Sequence, residues 1–245
     1  MAEPISGASP TRGPWGFWAT LGLSAVIAGA FLVSQIAVMV LCAIAQGLLS
    51  KDVAQYLANE GVLVGLTTIG AVPAVAGLAA SFVALRKGGP DIRDYLGLGW
   101  PGGRTVALWM LALIVFLIAT DSLTVALGRP IVPQVMVDMY RNTSFVPVLW
   151  IALVLAAPLS EETLFRGFLF RGLSASRLGG IGTVFVTAAL WAIIHTQYDM
   201  FGVAQVLASG ILVGCARLKT GSLLLCMAMH AVANLVATME IVIFF

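Results

Sequence analysis

Within a chain of otherwise lipid-compatible composition, the run Ser160-Glu161-Glu162-Thr163-Leu164-Phe165-Arg166 places two adjacent carboxylates and an arginine inside an apolar segment. A charge at membrane depth costs about 2.5–3.5 kcal/mol even on the lenient insertion scale, so such groups persist where they pair or do chemistry. Glu162 and Arg166 are four apart with the acid N-terminal, the favoured helical pairing, and each neutralises the other. Glu161 is turned about 100° from Glu162 on a 3.6-residue helix and lacks that built-in partner. It is therefore the better working carboxylate, suited to moving a proton as general base or acid.

The chain has two histidines, and both fall in apolar segments. Trp191-Ala-Ile-Ile-His195 puts His195 on one helical face with Trp191, and His230-Ala-Val-Ala-Asn234 does the same for His230 and Asn234. Counted from helix ends expected near 172, 180 and 218, Glu161, His195 and His230 lie roughly 16–23 Å deep at 1.5 Å per residue, close to the bilayer midplane. Any one of these polar residues taken alone reads more readily as a hydrogen bond between helices than as part of a site. Glu161, Glu162, Arg166, His195, His230 and Asn234 arriving at one depth read as a site.

The elements that must position them are membrane helices. Hydrophobic residues make up 60% of the 245-residue chain and charged residues 10%, with a mean hydropathy of +1.02, which excludes a water-soluble globule. The predicted architecture is an all-α polytopic bundle of about seven helices, six to eight being compatible with the pattern. The spans fall near 17–45, 61–85, 105–127, 145–172, 180–197, 201–217 and 221–243, and residues 17–245 form a single membrane domain with its catalytic helices in 145–243. Residues 1–16 read as a disordered cytoplasmic tail. The loop from Arg86 to Arg104 reads as a surface connection with a short interfacial helix, and 129–144 as a polar connection on the membrane surface. Gly61-x-x-x-Gly65 and Gly210-x-x-x-Gly214 are close-packing signals.

With seven spans, Arg12, Arg86, Lys87, Arg93, Arg104, Arg171, Arg177, Arg217 and Lys219 share one side, against Lys51, Arg129 and Arg141 on the other. The positive-inside rule then makes the N-terminus cytoplasmic and the C-terminus external. The net charge of +2, without a basic run, gives no nucleic-acid footprint. Cys42, Cys215 and Cys226 form no ligand spacing and read as small core residues.

Glu161-Glu162-x-x-x-Arg166, an aromatic-x-x-x-His and a His-x-x-x-Asn on successive helices resemble the CPBP family of intramembrane proteases. That family includes the type II CAAX prenyl endopeptidases and bacterial proteins of bacteriocin processing and self-immunity. The resemblance covers roughly residues 145–240, with Trp191 standing where the family usually has phenylalanine. It implies an intramembrane endopeptidase acting on a membrane-anchored protein or peptide precursor, and the Ala/Gly-rich composition suits a prokaryotic plasma membrane. On that reading Glu161, assisted by His195, activates a water; His230 and Asn234 donate to the oxyanion; Glu162 with Arg166 holds the first carboxylate; and Trp191 lines the cleft as a packing wall.

No cofactor is favoured, though Glu161, His195 and His230 are also a ligand set for zinc or another divalent metal with an open water position. No His-Glu-x-x-His is present, and one glutamate is committed to arginine. Two other classes stay open: a catalytically silent scaffold or immunity protein of the same fold, and a proton-coupled transporter, against which the lack of an internal repeat counts.

Overall fold

The computed structural model describes residues 13–245, so most of the tail expected at 1–16 lies outside the described residues. The described chain is helical, without strands. Its elements are α1 (Phe17–Leu48), α2 (Lys51–Leu57), α3 (Glu60–Leu85), α4 (Ile92–Leu96), α5 (Gly103–Ala126), α6 (Gln134–Arg141), α7 (Val146–Ser174), α8 (Gly179–Ile193), α9 (Met200–Thr220) and α10 (Leu223–Phe244). Six of these, α1, α3, α5, α7, α9 and α10, are long and apolar enough to cross a bilayer. The interfacial helix expected in the 86–104 loop is α4, while α6 adds a helix to the stretch read as a polar connection.

All seven predicted spans are helical, yet α8 has 15 residues. At 1.5 Å per residue it is about 22 Å long, against a hydrocarbon core of about 30 Å. The helix predicted over 180–197 therefore stops four residues short, and His195 sits in the loop beyond it rather than inside a transmembrane helix. The physical reason is local. His195, Thr196, Gln197 and Tyr198 have polar groups to place, and the turn His195 N–H to Ala192 C=O ends the α-helical ladder. Polar backbone at membrane depth is tolerated where it lines a cavity or is buried in protein.

α7 is the central element. Of its most apolar window 44% is buried inside the protein, against 11% for α1 and 6% for α5, whose outer faces are left to lipid. α1 packs along α3 and α8 along α9. Phe168 of α7 joins Ile27, Val75, Val83 and Tyr95 in one core cluster, while Phe165, Leu169 and Leu173 meet Trp191 of α8 in another. The free cysteines are core or near-core residues, with Cys226 fully buried against Val213 and Met229.

Both glycine pairs are close-packing positions. A Cβ on Gly210 would lie 3.0 Å from the Trp191 ring and one on Gly214 would lie 3.1 Å from Val184, so the two glycines let α9 lie flat on α8. A Cβ on Gly61 would fall 1.8 Å from Thr143 Oγ1, a hydroxyl already donated to Met139 C=O at 2.6 Å. Gly61→Ala is expected to lower the thermal stability of the purified protein by about 1–3 kcal/mol, since the inserted methyl must displace α3 from the 143–148 segment. Gly77→Ala on the same helix, where a Cβ meets nothing within 4 Å, is the matched control and is expected to leave the midpoint unchanged.

Candidate active site

The sequence Ala157-Pro158-Leu159-Ser160-Glu161-Glu162 is a short α-helical piece between two π-helical segments of α7, Ala152–Ala156 and Thr163–Leu169. A π-helical turn inserts a residue and leaves carbonyls without their usual i+4 donors, and such turns gather at functional sites. Here each segment has one carbonyl taken by a side chain from a neighbouring helix. Asn234 Nδ2 of α10 donates to Leu153 C=O at 2.7 Å, and Arg217 Nε of α9 donates to Arg166 C=O at 2.7 Å. The sequence carries no period that announces a π-turn; the two donors on other helices are what accompany it.

Arg217 also ties in the loop read as a surface connection. Its Nη2 donates to Leu96 C=O at 3.0 Å, Leu223 N–H donates to Gly97 C=O at 2.8 Å, and Ser222 Oγ donates to Gly99 C=O at 2.6 Å. Gly97 has φ +74°, and a Cβ there would lie 2.1 Å from Gly221 C=O and 2.2 Å from Arg217 Nη1. Glycine is required on both counts. The end of α4 is thus docked beneath the α9–α10 junction, against the same arginine that holds α7.

Glu162 and Arg166 form the pair read from the sequence, with Arg166 Nη1 donating to Glu162 Oε1 at 3.1 Å and both side chains 0% exposed. Arg166 Nη2 donates to Gly210 C=O at 3.1 Å, anchoring α9. Glu162 Oε1 also faces His230 Nδ1 at 2.9 Å. A carboxylate oxygen only accepts, so His230 carries its hydrogen on Nδ1 and presents Nε2 elsewhere. His230 is 6% exposed.

Glu161 differs from expectation. It has a partner: Trp191 Nε1–H donates to Glu161 Oε2 at 2.5 Å. The indole is long enough to bring its N–H from α8 to a carboxylate on α7, a contact that residue spacing within one helix cannot show. Trp191 C=O in turn accepts from His195 Nδ1 at 2.7 Å, which places the His195 hydrogen on Nδ1 and leaves Nε2 as its lone-pair nitrogen. The rings of His195 and His230 lie edge-on to Trp191 with centroids at 5.0 and 5.1 Å. Tyr198, missed in the sequence, stacks on His195 at 6.2 Å and 11°. Its hydroxyl is held above the ordinary phenol range chiefly by burial, with the Glu161 charge adding to the shift.

The loop carrying His195 is pinned at its far end. Asp199 caps α9 by accepting from Gly202 N–H at 2.9 Å and pairs with Arg129, which follows α5. The Gly202 bond first, and Arg129 after it, hold the Asp199 carboxyl below its ordinary range.

Glu161, Glu162, Arg166, Trp191, His195 and His230 are therefore linked into one cluster across α7, α8 and α10. Asn234 lies one turn from His230 on α10 and is half-buried, its amide engaged by the first π-helical segment. Residues 143–236 match the family described as type II CAAX prenyl endopeptidase Rce1-like. This is the family whose motifs the sequence resembles, and the Rce1-like segment contains every candidate residue while leaving out α1 to α6. No curated protein and no solved structure gives a significant match.

Among the described residues no group of three His, Cys, Asp or Glu side chains is disposed to hold a metal ion. As placed, Glu161, His195 and His230 do not form such a group.

Proposed function

We propose that the chain is an intramembrane endopeptidase that hydrolyses a peptide bond of a membrane-anchored protein or peptide precursor with a glutamate-activated water. The observation that carries this reading is the linkage of Glu161, His195 and His230 through Trp191 in the interior of the Rce1-like segment. Glu161 takes a proton from water as its oxygen attacks the scissile carbonyl, and His195 Nε2 accepts a hydrogen bond from the same water. The developing oxyanion is met by Nε2–H of His230, which enters the reaction as the imidazolium paired through Nδ1 with the Glu162 carboxylate and neither gains nor loses a proton during the step. Asn234 has one amide hydrogen beyond the one given to Leu153, and it serves as a further donor. Collapse of the tetrahedral intermediate breaks the C–N bond, and the proton held by Glu161 passes to the leaving amine.

Partial charges are stabilised here by groups already fixed by the bundle, so little reorganisation accompanies the reaction. We place the chain in a prokaryotic plasma membrane, which its Ala/Gly-rich composition suits, with the N-terminus on the cytoplasmic side, following the distribution of Lys and Arg.

The test is reconstitution with candidate membrane substrates from the same genome, with new termini read by mass spectrometry. Wild type is expected to generate a new terminus, and His195→Ala is expected to slow its appearance by about 10²-fold. Cleavage that proceeds unchanged in His195→Ala removes that residue from the mechanism.

One observation favours a second reading, a catalytically silent scaffold of the same fold: Glu161 and Asn234 are already hydrogen-bonded inside the protein. A scaffold keeps its biological effect in Glu161→Ala and His195→Ala, whereas a protease loses it.

A further inference from the structure

Trp191 is 5% exposed and touches four of the polar residues of the candidate site. Its N–H reaches Glu161 Oε2 at 2.5 Å and its carbonyl takes His195 Nδ1 at 2.7 Å. Its ring meets His230 at 5.1 Å, and the Arg166 guanidinium lies over its face at 4.7 Å. A core tryptophan that only filled space would satisfy its N–H on whatever carbonyl lay nearby. This one donates to a carboxylate, giving a charge-assisted bond of the short kind.

The placement of Arg166 gives that bond a second property. A cation on the face of an indole draws electron density from the ring, which makes the N–H at its edge a stronger donor. Arg166 thus acts on both glutamates: directly on Glu162 Oε1 through Nη1, and on Glu161 Oε2 through the indole between them. Two adjacent carboxylates share one buried arginine by two routes.

We propose that Trp191 is the positioning residue of the site, fixing Glu161 Oε2 through its indole N–H and the His195 ring through its carbonyl, so that Glu161 Oε1 and His195 Nε2 are left to meet the water. This inference rests on the reading of Glu161 as the base. The fixed oxygen removes rotation about the terminal torsion of Glu161, which in a glutamate is broad and holds no single orientation unaided. Gly210 belongs to the same device: its missing side chain lets the Trp191 ring lie against α9, where a Cβ would approach the ring to 3.0 Å.

Trp191→Phe keeps an aromatic ring near Arg166 and the backbone carbonyl to His195, and removes the N–H together with part of the ring volume. It is expected to lower kcat about ten- to a hundredfold, the range for losing one hydrogen bond to a charged group, with KM within about twofold. Site-specific replacement of Trp191 by 3-benzothienylalanine, whose sulfur stands in place of the N–H at nearly unchanged shape, is expected to give the same loss. A readout independent of activity is the indole 1H–15N resonance of Trp191 in the purified protein, identified as the one missing from Trp191→Phe. It is expected downfield in wild type and shifted upfield in Glu161→Ala.

Unchanged kcat in Trp191→Phe, or a resonance indifferent to Glu161→Ala, overturns the inference while leaving the protease reading intact. A benzothienylalanine protein as active as wild type overturns it too, since shape alone then suffices. If the resonance responds but wild type cleaves nothing, the protease reading fails and the positioning role falls with it.

Discussion

Glu161→Gln is expected to lower the rate of peptide hydrolysis about 10³-fold while leaving the midpoint of thermal unfolding nearly where it is. The expectation follows from what the change keeps. Glutamine retains the length of the side chain and an amide oxygen that can still accept from Trp191 Nε1, so the contact between α7 and α8 survives. What it loses is the capacity to take a proton from water, and a positioned acid–base group contributes about 10²–10⁴ in rate. Rates are read as the appearance of the new substrate terminus by mass spectrometry in reconstituted vesicles, with unfolding followed in parallel on the same preparation. Cleavage persisting at the wild-type rate would sink the assignment of Glu161 as base. A loss of rate accompanied by a large drop in stability would instead make Glu161 a structural group like its neighbour.

Arg166→Met is expected to do the reverse, acting first on stability. Glu162 and Arg166 are both 0% exposed, and removal of the guanidinium leaves a buried carboxylate facing only His230 Nδ1. The same change strips Gly210 C=O of its side-chain donor and the Trp191 face of its cation. Breaking a buried ion pair from one side costs about 3–5 kcal/mol. For a chain of this size each kcal/mol moves the midpoint about 2–4 °C, so a fall of about 6–20 °C is expected.

The double variant Glu162→Gln, Arg166→Met removes both charges and is expected to recover part of the loss, with a coupling energy of about 1–3 kcal/mol between the sites. Thermal unfolding in detergent, followed for wild type, both single variants and the double variant, completes the cycle. Additive effects would show that the two side chains do not share one buried environment. The contrast between Glu161 and Glu162, rate without stability against stability with rate, separates two adjacent residues of identical chemistry.

Much of this was legible in the chain because membrane burial is a strong and simple constraint. The apolar stretches around α1, α3, α5, α7, α9 and α10 were found to within a few residues, since a bilayer-length apolar run has few other readings. The Glu162–Arg166 pair was legible because both partners lie on one helix, where four-residue spacing fixes proximity. The two glycine pairs were readable as contacts, though not which helices they touch: Gly61 and Gly65 face the 143–148 segment, and Gly210 and Gly214 face α8.

α8 shows where the reading ran out. Its composition stays apolar to Ile194, so hydropathy extended it through His195, and the turn that ends it depends on polar side chains with places to go. The two π-helical segments flanking Ser160–Glu162 were invisible for a related reason. Their freed carbonyls are answered by Asn234 and Arg217 on other helices, at separations of 81 and 51 residues.

The sequence by itself determined that this is an all-α membrane bundle, where its long apolar helices lie, and which charged residues must be paired or reactive, because solvation by lipid penalises every unpaired polar group wherever the chain folds. Glu161 was singled out there as the carboxylate with no partner on its own helix. Only the tertiary structure decided that its partner is the Trp191 indole, that His230 answers to Glu162, and that His195 stands in a loop past the end of α8. Those are contacts between helices distant in sequence, set by how α7, α8 and α10 cross, and periodicity along a single helix carries no record of the crossing.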